Sequence, residues 1–172
     1  LTPNTDVSEQ LSLVADELRL ANNLNGSWVS SERYHMTLHH LGQFPKVRPD
    51  LVSRAIAAAN KIQAQKFDIT LDQFMNFDSK IGKYPCVLTS ESDSLELQKF
   101  WQLLKNNLFA LKLGQHVTNS FKPSVTMLYS RQPVTTTLLV KPVNWQVSDF
   151  VLIESLVGKS EHIELGRWPL SN

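Results

Sequence analysis

The chain has 172 residues, enough for one sizeable hydrophobic core and too few for two comfortable independent domains. With 42% apolar and 19% charged residues and a formal charge of +1, it offers no electrostatic case for duplex nucleic acid, an anionic membrane or a polyanion. Any nucleic-acid ligand should therefore be short or recognised at its end. Cys86 is the only cysteine, which excludes an intrachain disulfide and a thiolate metal cluster and suits a reducing cytosol. No apolar run approaches the roughly 20 residues of a membrane-spanning helix.

Taken in order, Pro3-Asn4-Thr5-Asp6 leads into apolar residues at Val7, Leu11, Val14, Ala15 and Leu18, the spacing of one helical face. Asp6 and Glu9 suit the helix N-terminus, and Asn22-Asn23 with Asn25-Gly26 end it. Trp28 and Val29 lead into a strand carrying Tyr34-His35-Met36-Thr37-Leu38-His39-His40 and stopping at Gly42. Pro49-Asp50 starts a second helix, through Ala55 to Ala59 and on to about Gln65. Phe67, Ile69 and Leu71 alternate with polar residues as in a half-buried strand.

The second half repeats the scheme. Pro85 to Thr89 is a short apolar strand, and Asp93-Ser94-Leu95-Glu96 resembles a capping box. Leu97, Phe100, Trp101, Leu104 and Leu108 then share a helical face, and Gly114 closes that helix. A strand runs from Ser124, another from Trp145 to Val157, and a last short one ends near Trp168. The second half has a strand, Pro85 to Thr89, ahead of its long helix, whereas the first helix starts almost at Leu1, so a duplicated fold predicts a further strand before Leu1.

Two stretches carry chemistry. On a strand, His35 and Thr37 share one face while Met36 and Leu38 share the other, and same-face neighbours lie roughly 7 Å apart. An imidazole and a hydroxyl at that spacing can contact one small anion. Phe121-Lys122-Pro123-Ser124-Val125-Thr126-Met127-Leu128-Tyr129 echoes the pattern, with Ser124 in the first polar position. Histidine transfers protons near neutral pH, and threonine hydroxyls with backbone amides can hold phosphoryl oxygens. Two such segments facing each other would clamp a phosphate, one side taking a proton from the attacking water and the other protonating the leaving oxygen. A lone His-x-Thr, by contrast, is commonly just sheet surface.

Trp28-Val29, Tyr34-His35-Met36-Thr37-Leu38 and Leu41-Gly42 resemble the first signature of the 2H (two-histidine) phosphoesterases, in their bacterial 2′-5′ RNA ligase-like, or RNA 2′,3′-cyclic phosphodiesterase, branch. The stretch from Phe121 to Tyr129 resembles the second signature, usually Phe-x-Pro-His-x-Thr-Leu, and the tail from Trp145 through Leu165 and Trp168 to Leu170 is similar to the family's last strands. The resemblance implies an α+β fold over residues 1–172. It would be a single bilobal unit, with two pseudo-twofold-related, mostly antiparallel sheets lining a central cleft and helices outside. It implies a cytoplasmic hydrolase, monomeric and free of metal or cofactor, that opens 2′,3′-cyclic phosphate ends of RNA or small cyclic nucleotides to 2′-phosphates. Some members also form 2′-5′ linkages without ATP. By position, His35 matches the first catalytic histidine, and Thr37 and Thr126 match the phosphate-holding hydroxyls. The family also begins with a strand before the first helix, which fits the strand expected ahead of Leu1.

Ser124 stands where the family has its second histidine. A serine hydroxyl titrates far outside the working range, so the chain is expected to bind a phosphate ligand and turn it over poorly, or to serve only as a binding module for terminal phosphates or 2′-5′-linked oligonucleotides. A third reading leaves the motifs as relics in an interaction protein. Tyr129 stands where many members carry arginine, and Arg131, two residues on, either supplies that charge or is simply solvated. His39 should sit at the cleft rim, and Phe44, like Tyr34, can stack a base or fill core. His40 is expected on the apolar face and His116 in solvent. His162 either lines the cleft or covers core. Lys122 attracts phosphate or is simply solvated. Trp101, Trp145 and Trp168 suit core packing, and Cys86 a buried small hydrophobe.

Overall fold

Helix α1 (Thr5–Asn22) forms where the sequence places Asn4 as a cap: its side-chain oxygen accepts the Val7 N–H at 2.9 Å, worth about 1 kcal/mol. Val7, Leu11, Val14, Ala15 and Leu18 are buried along one face, as their spacing predicts. The computed structural model describes residues 1–22, 24–79, 82–92, 94–156, 159 and 161–172. Asn23, Asp93 and Val157, assigned above to a helix end, a capping box and a strand end, lie outside the described residues.

After β1 (Gly26–Trp28) and a 3-10 turn (Ser31–Arg33), the expected strand through His35 is an extended segment without a ladder. Among the described residues its backbone pairs at Met36, whose N–H donates to the Leu1 carbonyl at 2.9 Å while Leu1 N–H donates to the Met36 carbonyl at 2.8 Å. The alternation nevertheless holds. Tyr34, Met36 and Leu38 are buried, and the residues between them are not. A bend at Leu38 ends it, so His40 is exposed instead of joining the apolar face.

Helix α2 (Pro49–Ala59) takes in the whole alanine run but stops short of the expected end near Gln65, capped at Asn60. The following residues belong to the other end of the chain: Lys66 N–H donates to Ser171 O and Ser171 N–H to Ala64 O. Strands β2 (Phe67–Asn76) and β3 (Tyr84–Thr89) precede α3 (Leu95–Ala110), where Ser94 is the N-cap, its Oγ accepting the Leu97 N–H at 3.3 Å. Gly114 does not close α3. Lys112 takes the left-handed conformation at φ 59°, and Gly114 opens a short 3-10 turn to His116.

β4 (Val125–Ser130), β5 (Thr137–Val147), β6 (Asp149–Leu156) and β7 (Glu161–Pro169) complete the chain. The single strand expected from Trp145 onward is two. Trp145 belongs to β5, in a five-stranded antiparallel sheet of order β1-β4-β3-β2-β5, and Phe150 to β6, paired only with β7. The break comes at Ser148, whose carbonyl is taken by Leu170 N–H. The fold is α+β, with a main core shared by α1, α3 and the large sheet and a smaller one between α2 and α3. No helix among the described residues is long and apolar enough to cross a membrane.

Candidate active site

Because Tyr34, Met36 and Leu38 turn inward, His35, Thr37 and His39 turn the other way. They do so toward a cleft of about 970 Å³, which Arg33, His40, Phe44, Tyr129 and His162 also line. The His35 Nδ1 lies 2.8 Å from the Arg33 carbonyl oxygen. A carbonyl can only accept, so Nδ1 carries the proton and Nε2 keeps its lone pair. The His162 ring meets the His35 ring edge-on, centroids 4.9 Å apart and planes at 82°. Burial, above all, lowers the His35 pKa below the usual imidazole value, and nearby positive charge adds to this against the hydrogen bond to Arg33. His162 is lowered by burial first, then by His35 and Arg33.

Both rings are therefore expected to titrate below the ordinary midpoint of about 6.5. A general base at His35 then stays deprotonated as pH falls through that value and is lost only below it. NMR titration of the ring Hε1 resonances tests this, and a His35 midpoint at or above 6.5 would contradict it.

The near-zero net charge hides a local imbalance. Among the described residues lining the cleft, Arg33, Lys46, Arg48 and Lys159 face one carboxylate, Glu154. Arg48 pairs with Asp50 at 2.9 Å, but Arg33 makes no ion pair among the described residues, and its Nε is buried without a hydrogen-bond partner. An unsatisfied buried donor costs about 1–3 kcal/mol. At the rim, Gly42 has φ +123°, and a Cβ there would stand 2.7 Å from the Phe44 ring. Glycine thus lets Phe44 fold back beside His116, with ring centroids 6.1 Å apart. His116 is accordingly half-buried, not in open solvent.

The second motif approaches on β4. Thr126 pairs with Val87 and Tyr129 with Pro85, with a bulge between them. Directly paired residues share a face, as do residues two apart on one strand. Thr126 therefore lies on the same face as Tyr129, although three residues apart they would oppose each other in an unbulged strand. Ser124 stands two residues ahead, next to Pro123, whose carbonyl is held by the Thr89 hydroxyl at 2.7 Å. Tyr129 reaches the cleft, whereas Ser124 and Thr126 are not in its lining. Arg131 is elsewhere, in a separate cavity of about 480 Å³ with Asn25 and Phe74, because the chain turns after Ser130 and Arg131 N–H bonds Asn25 O. It does not supply charge beside Tyr129.

His39 lines the cleft but is held by the fold. Its ring stacks on Trp101 (centroids 5.1 Å, planes at 19°), and its Nε2–H points to Trp101 O at 3.3 Å. Trp101 in turn stacks on Phe121 at 5.6 Å and donates from Nε1 to Leu38 O at 2.9 Å. Among the described residues no three His, Cys, Asp or Glu side chains form a group suited to a metal ion, and His35, His39 and His40 diverge.

Residues 1–85 match the LigT-like phosphoesterase family. That stretch contains His35 and Thr37 and bears out the resemblance they carry, while the motif at Ser124 lies beyond it. No curated protein sequence matches the chain. Among solved structures, Escherichia coli LigT in its apo form superposes with a TM-score of 0.79 at 20% identity, covering 100% of this chain and 95% of that one. The same protein complexed with 3′-AMP gives 0.76 at 19% identity, with the same coverage. The Thermus thermophilus protein TT0787 gives 0.71 at 18% identity, covering 96% and 92%. At such identities the likeness establishes the LigT-type fold, not an activity.

Two residues of this LigT-type cleft went unassigned in the sequence. Arg33 was legible in principle, since it stands two ahead of His35 and four ahead of Thr37 in one alternating series. His162 is placed by the meeting of β7 with the His35 segment, and nothing local to β7 says which segment it meets.

Proposed function

We propose that this chain acts on phosphodiesters at RNA ends or in small cyclic nucleotides, opening a 2′,3′-cyclic phosphate to a 2′-phosphate with water and, with a 5′-hydroxyl attacking in place of water, joining 2′-5′ linkages without ATP. The observation that carries the reading is His35: a tautomer fixed by the Arg33 carbonyl, with Nε2 free in a cleft rich in positive charge. In this reading Nε2 takes the proton of the attacking water. Arg33 and the Thr37 hydroxyl hold phosphoryl oxygens, Thr126 adds a hydroxyl from the β4 face, and Tyr129 and Phe44 receive the base. The complexes of E. coli LigT with 3′-AMP, ATP and phosphate support a nucleotide or phosphate ligand.

A second reading follows from Ser124. Without an imidazole there, the cleft would serve as a binding module for terminal phosphates. Incubation with a 2′,3′-cyclic nucleotide, followed by ³¹P NMR, separates the two. The expected result is slow conversion of the cyclic phosphate to a monoester, with binding that weakens as salt screens the cleft cations. Binding without conversion favours the module, and absence of binding overturns both readings.

A further inference from the structure

The hydrolytic reading needs a proton for the leaving ribose oxygen, and the segment at Ser124 has no group to give it near neutral pH. Among the other histidines, His39 is committed through Nε2 to the Trp101 carbonyl, His40 is exposed beyond the bend at Leu38, and His116 meets the Gln115 amide outside the cleft lining. His162 differs from all three. It is half-buried on β7, opposite Ser155 of β6, and its ring nitrogens make no hydrogen bond among the described residues. It lines the cleft and touches His35 edge-on at 4.9 Å. An oxygen bound to a phosphorus atom held at His35 is therefore within reach of a second imidazole without any contribution from β4.

We propose that His162 is a catalytic residue, the proton donor that the second motif lacks in this chain. The inference rests on the phosphodiesterase reading above. Water oxygen forms the new bond to phosphorus while its proton passes to His35 Nε2. The bond from phosphorus to the ribose 3′ oxygen breaks with its electron pair on that oxygen, which takes the proton from His162 in the fraction of molecules whose His162 ring is charged, a fraction that grows as pH falls toward its lowered midpoint. The products are the 2′-phosphate and a free 3′-hydroxyl, with His35 protonated and His162 neutral. Solvent exchange through the open cleft resets both rings.

The test uses two substrates. A 2′,3′-cyclic nucleotide expels a ribose oxygen that needs a proton, whereas bis(p-nitrophenyl) phosphate expels a phenolate that leaves as an anion. His162→Gln is expected to lower kcat on the cyclic nucleotide by about 10²-fold and to leave the nitrophenyl ester nearly unaffected. Retained cleavage of that ester shows that the variant is folded and His35 intact. In a Ser124→His background the dependence on His162 should fall away. Equal loss on both substrates, or no loss on either, overturns the assignment. If the unaltered chain is inert and Ser124→His alone is active, His162 is not the donor while the phosphodiesterase reading stands. If neither turns over, both fall.

Discussion

In a His162→Gln background, placing histidine at Ser124 is expected to raise kcat on a 2′,3′-cyclic nucleotide by about 10²-fold, and up to about 10⁴-fold, the usual contribution of one general acid–base group, with a smaller gain where His162 is intact. The argument is positional. Ser124 precedes Thr126 by two residues, and the β4 bulge puts Thr126 on the face from which Tyr129 enters the cleft. The Pro123 carbonyl is anchored by Thr89, so the new ring would project from a fixed point of backbone. The contacts proposed to hold phosphate are unchanged, and KM should hardly move. Side-by-side kcat and KM measurements decide the matter. A folded variant with unchanged kcat would show that position 124 does not face the reacting bond.

His35→Ala is expected to remove turnover by a similar factor, about 10²–10⁴-fold, in the unaltered chain and in Ser124→His alike. Stability should change little. The substitution deletes one hydrogen bond, to the Arg33 carbonyl on a side chain that is only partly buried, worth about 0.5–1.5 kcal/mol. Loss of rate with an intact fold therefore reports chemistry. If His35 is the base proposed above, the acidic limb of the pH–rate profile should go with it. Activity that survives in His35→Ala would mean the base is another group.

Signals confined to one element were readable in the chain. The face of α1, the helix from Leu95 and the alternation of Tyr34, Met36 and Leu38 follow from local spacing, and burial confirms them. Features that depend on distant partners were not. The extended segment at His35 pairs through Met36 with Leu1, on the far side of α1, and the backbone beyond α2 pairs at Ala64 and Lys66 with Ser171. The bulge in β4 decides which way Thr126 points, yet nothing in Val-Thr-Met-Leu marks Met127 as the extra residue. Arg131 shares a parity with Tyr129 only on paper, since the strand stops before reaching it. The charge of the cleft was invisible for the same reason, because a net of +1 averages over a surface that folding divides unevenly.

The His39–Trp101–Phe121 stack, together with the bond from Trp101 to the Leu38 carbonyl, pins both motif segments to a single turn of α3. Neither segment can slide along its neighbour without dragging that helix. The gap between them is thus gauged by an indole that the substrate need never meet, and a rotation of α3 would retune both sides at once.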